Sequence, residues 1–101
     1  MDLMSKSNSS IVLTCPPTIL WVKDSGQIVV MDEKRSRHWI LHGFEAAVWD
    51  YLMLGYSYPK LIETLSTLLD APMQEVEEKV TVCLRAWQTG GLLEANEDAH
   101  V

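Results

Sequence analysis

Apolar positions along this chain change their period once, near residue 42. In "TILWVKDSGQIVVMDEKRSRHWIL" they fall into three short β-rich runs, near residues 18–23, 27–32 and 37–41, broken by Asp24-Ser25-Gly26 and by Glu33-Lys34-Arg35-Ser36. Connections this short join only antiparallel neighbours, so the runs predict a three-stranded meander in the order 1-2-3, whose third strand is an edge. Beyond Leu41 the period becomes 3.6, with Phe44, Ala47, Val48, Tyr51 and Leu52 on one helical face, and a first helix is expected to about Leu54 with Gly55 as its left-handed terminator. Ser57 is placed to cap a second helix that tolerates Pro59 in its first turn, and Leu61, Leu65, Leu68 and Leu69 are its expected buried stripe.

A third helix starts in "DAPMQE". Glu75, Glu77 and Glu78 suit its N-terminal end, Val76, Val80, Cys83, Leu84 and Trp87 form its apolar face, and Gly90-Gly91 ends it. The fold class expected is therefore α+β: a winged-helix-like βββααα chain, with a three-stranded antiparallel sheet followed by three helices. Residues 1–10 are read as a flexible polar tail, 11–94 as one domain, and 95–101 as a frayed acidic tail that follows two core-seeking leucines.

Composition narrows the function more than the fold. A chain of 101 residues that is 48% apolar suits one compact core. No apolar run approaches the roughly 18 residues of a membrane span, and the apolar stretch near the N-terminus is shorter than a signal-peptide core, so a cytoplasmic location is expected. The formal charge of −6 is uneven: residues 1–42 hold five basic and four acidic side chains, residues 43–101 three and ten. Nucleic acid is then a poor partner, because neutralising phosphates supplies most of such affinity.

Catalytic signatures are missing: the sequence has no GxSxG, HExxH, GxGxxG or phosphate-cradling glycine loop. Cys15 and Cys83 form no CxxC pair, and His38 and His42 lie on a strand that turns into a helix start, which suits a half-exposed histidine and a helix cap better than a metal site. No cofactor, no metal and no enzymatic activity are expected. What stands out is the edge strand, preceded by Lys34, Arg35 and Arg37. Those cations either guard the edge against aggregation or read charge on a guest chain that pairs with it.

The order Asp32, Arg37, Trp39, Leu41, then Trp49 and a helix-ending Gly55, closed by Leu84, Trp87, Gly91, Leu92 and Leu93, resembles the PqqD-like family. These are the recognition elements of ribosomally made, post-translationally modified peptide pathways. The likeness runs from about Thr18 to Glu94; it departs at His42, where the family often has Asn, at Glu45, where a small residue is common, and at Ser36, which replaces a frequent Gly.

The resemblance implies a non-catalytic peptide chaperone with a winged-helix-like body. In that family the leader of a precursor peptide pairs antiparallel with the third strand, lies in the cleft beside the third helix, and is delivered to a modifying enzyme or leader peptidase. Carried over by position, the strand side comprises Arg35, Arg37, His38, Trp39, Ile40 and Leu41, and the helix side Val76, Lys79, Val80 and Cys83. The turn leans towards the lasso-peptide type. By alternation Trp39 and Leu41 share the helix-facing side of the strand, and His38 and Ile40 the other. A monomer or weak dimer is expected, and the rival reading is a small winged-helix DNA-binding regulator.

Overall fold

The computed structural model describes residues 11–97, with side chains for 13–94. Its elements run β1 (Ile11–Thr14), β2 (Ile19–Asp24), β3 (Gln27–Asp32), β4 (Arg37–His42), α1 (Phe44–Met53), α2 (Tyr58–Leu69), α3 (Met73–Thr89) and β5 (Glu94–Glu97). The three expected strands are β2, β3 and β4, antiparallel in that order. Ser25 and Gly26 join the first two with φ of 52° and 83°. Two consecutive left-handed residues make the tight turn whose twist matches a hairpin.

One face of the sheet is the floor of the core. Ile19, Ile28, Val30 and Leu41 are buried there under the helices. Trp49 of α1 fills the centre, its ring edge-on to Trp21 of β2 at 6.4 Å and to Trp87 of α3 at 5.3 Å between centroids. Val48, Leu61, Leu65, Val80 and Leu84 close around it. Burying rings of this size gives a small domain much of its apolar area.

Helix boundaries follow the chain's punctuation. Gly55 has φ of 94° just past the C-terminal end of α1, and the Ser57 side chain accepts a hydrogen bond from the Lys60 N–H at the start of α2. The expected stripe of α2 needs correction at its C-terminal end. Leu61 and Leu65 are buried together with Ile62, whereas Leu68 is 62% exposed and Leu69 is exposed too. The left-handed Asp70 turns the chain back, with the Ala71 N–H bonded to the Ser66 carbonyl, and Ala71 takes the place at the core that the leucines lack.

His42 is not a helix cap. It ends β4, one residue later than expected, and Gly43 (φ 62°) stands at the N-cap of α1 with no side-chain cap. A second difference lies at the termini: β5 pairs antiparallel with β1 from Glu94 opposite Thr14 to Glu97 opposite Ile11. Residues 95–97 are therefore strand rather than the start of a frayed tail. Residues 1–10 and 98–101 lie outside the described part.

Candidate functional site

Strand β4 pairs with β3 from Arg37 opposite Asp32 to His42 opposite Gln27, and no strand among the described residues pairs with its other side. Alternate main-chain N–H and C=O groups along six residues therefore point away from the sheet. The side chains alternate as expected. Leu41 is buried and Trp39 half-buried on the helix side, while His38, Ile40 and His42 face outward and Ile40 is 51% exposed.

The basic turn is organised around a buried acid. Asp32 is 1% exposed and accepts hydrogen bonds from the Arg35 N–H (3.2 Å) and from Arg35 Nη1 (3.1 Å). Arg37 Nη2 lies 3.7 Å from the same carboxylate and donates to the Gly90 carbonyl at 3.0 Å. Its guanidinium also sits over the Trp39 ring, 4.8 Å from the centroid. Burial alone would raise the Asp32 pKa; the hydrogen bonds from Arg35 and the charges of Arg35 and Arg37 outweigh it and hold the carboxyl below its ordinary value.

These contacts bring β4 against the C-terminal end of α3. A Cβ at Gly90 would stand 3.8 Å from Trp39 Cζ2, and one at Gly91 would meet Arg35 Nη1 at 2.6 Å. The sequence pattern assigned Arg35 and Arg37 either to protecting the edge or to reading a guest. In the structure both are bound to the protein itself.

On the helix side the expected residues differ in exposure. Val76 and Val80 are fully buried core, Cys83 nearly so, and Lys79 is exposed with Nζ 5.9 Å from the Phe44 ring and 3.7 Å from Glu75. Burial, with the neighbouring charge of Glu45, pushes the Cys83 thiol pKa up, so it is a poor nucleophile. Of the four, only Lys79 is therefore exposed at the surface, while the two valines and Cys83 belong to the core. The residues missed by sequence reasoning are Gly90, as the acceptor for Arg37, and Phe44, as the partner of Lys79. A glycine carbonyl leaves no side-chain signal to find.

Among the described residues no three His, Cys, Asp or Glu side chains gather as a metal site, and no helix is long and apolar enough to cross a membrane. What the arrangement offers is a strand with open hydrogen-bonding groups, an aromatic wall and an apolar floor.

No family model and no curated protein sequence matches the chain. Two solved structures share its fold. "TbiB1 in Complex with the TbiA(beta) Leader Peptide" superposes with a TM-score of 0.76 at 14% identity, covering 87% of this chain and 98% of that one. "Lasso peptide synthetase B1 complexed with the leader peptide" gives a TM-score of 0.76 at 16% identity over 81% of this chain and 96% of that one.

Proposed function

We propose that this chain is a non-catalytic recognition element of the PqqD-like type, binding the leader segment of a ribosomally made precursor peptide and presenting it to a modifying enzyme or leader peptidase in the cytoplasm. The observation that carries the reading is the open edge of β4 on a fold shared with two solved structures that were each captured with a leader peptide. Strand addition supplies main-chain hydrogen bonds to any extended guest, and alternate guest side chains turned towards Trp39, Phe44 and Cys83 supply selectivity. The outward side of the sheet, where Leu20, Val22 and Ile40 are exposed, stays open when a guest lies at the edge and is apolar enough for an enzyme partner. The likeness to lasso-peptide proteins favours that pathway type.

The test is calorimetric titration with the synthetic leader segment of a short precursor peptide, sought among the genes adjoining this one, with amide exchange across β4 followed in parallel. Saturable binding with protection of alternate β4 amides is expected. Binding that leaves those amides unprotected would sink the strand-addition reading, and no binding at all would sink the function.

A further inference from the structure

We propose that Asp32, Arg35, Arg37 and the Gly90-Gly91 backbone form a latch that ties the β3–β4 turn to the C-terminal end of α3 and closes that end of the guest groove. The inference deepens the reading of β4 as a guest edge, since a groove closed at one end fixes where an added strand must stop.

The geometry separates a latch from edge protection. An arginine that only keeps an edge soluble needs no fixed partner, yet Arg35 and Arg37 converge on one carboxylate that is 1% exposed. A buried carboxylate is costly unless it is paired, and here both its oxygens are engaged. Arg37 then spans the two walls, holding Asp32 on the sheet side and the Gly90 carbonyl on the helix side. A carbonyl at a helix C-terminus is a favoured acceptor for a cation, because the last helical carbonyls lack intrahelical partners.

Two features of Gly91 suit the receiving end. Gly91 has φ of 85°, a conformation that side chains strain to adopt, and its missing Cβ makes the room that Arg35 Nη1 occupies. Trp39 closes the same end by lying against Gly90.

At the other end of the groove nothing comparable is seen among the described residues. Lys79 stands 5.9 Å from the Phe44 ring, a looser contact that a guest can displace. A guest antiparallel to β4 would point its C-terminal end at Arg37. It runs along His42, Leu41, Ile40 and Trp39, meets the Arg37–Gly90 bridge, and must turn outward beside Lys34. The remainder of the precursor is thereby directed away from α3.

The experiment compares Arg37→Ala, Arg37→Lys and Asp32→Asn with the parent chain by amide hydrogen exchange without any guest. Removing the latch should speed exchange at Gly91 and Leu92 by about tenfold or more, the order expected for a lost charge-assisted hydrogen bond, while amides in the core of α2 and α3 hold their rates. Arg37→Lys should recover part of the protection. Unchanged rates at Gly91 and Leu92 in Arg37→Ala overturn the latch. So does acceleration spread evenly over the whole chain, which marks a general loss of stability. Arg37→Ala keeps the test open if Asp32→Asn fails to fold. With the precursor leader added, Arg37→Ala should extend protection of the guest beyond the residue opposite Trp39. If the parent chain binds no leader, the functional reading fails while the exchange without guest still judges the latch.

Discussion

Asp32 concentrates the consequences of single side chains, because one carboxylate organises the whole basic turn. Its folded pKa is lowered from an ordinary 3.8, so its contribution to stability is whole above that pH and is lost as the pH falls through the lowered folded value. Thermal midpoints of the parent and Asp32→Asn should therefore converge as the solution is acidified below the usual carboxylate range. A gap between them that persists unchanged well below that range would show that the charge of Asp32 plays no part. Trp39 is the other decisive residue. Its half-buried indole, stacked under Arg37, is the largest side chain on β4, so Trp39→Ala should weaken leader binding by about 2 kcal/mol or more if it anchors a guest. Fluorescence anisotropy with a labelled leader checks the affinity, and a thermal melt of the same variant separates loss of the anchor from loss of the fold.

The strands show where sequence logic reaches and where it stops. Residues 19–42 were legible because two short loops dictate an antiparallel meander and because side chains alternate, Leu41 inward and Ile40 outward. That placement makes Ile40 the position at which to question the edge. Ile40→Pro, at an exposed side chain, either removes a donor or bends β4 and should abolish leader binding; full affinity with a native circular dichroism spectrum would exclude strand addition. The β1–β5 pair was not legible, since four-residue strands far apart in sequence carry no local loop to announce their partner. Its role is testable through Cys15, which is half-buried, bonded through Sγ to the Ile19 carbonyl at 3.8 Å, and whose thiol pKa is raised by burial and then by Glu94. Deleting residues 94–101 should speed alkylation of Cys15, with buried Cys83 as the unreactive control. Equal rates in both chains would mean that β5 does not shield β1.

Charge decides between readings only at the scale of the whole molecule. The regulator rival needs a cationic recognition helix, and α3 presents Glu75, Glu77 and Glu78 against Lys79 and Arg85, with Lys79 already paired to Glu75, on a chain of net −6. The candidate site was legible in outline for a different reason: the edge strand and its cations are local in sequence. The occupation of those cations was not, because Arg37 finds its acceptor 53 residues away on a glycine carbonyl. That occupation has a consequence for binding. If Arg35 and Arg37 hold the protein's own carboxylate and helix end, affinity for a leader rests on main-chain hydrogen bonds and apolar contacts, which salt screens weakly. Leader affinity measured from low to near-molar salt should then stay within about threefold, whereas a basic turn that reads acidic guest residues would lose affinity steadily across the series. Under the same low-salt conditions duplex DNA should produce no electrophoretic shift, and a salt-sensitive shift would return the regulator to first place.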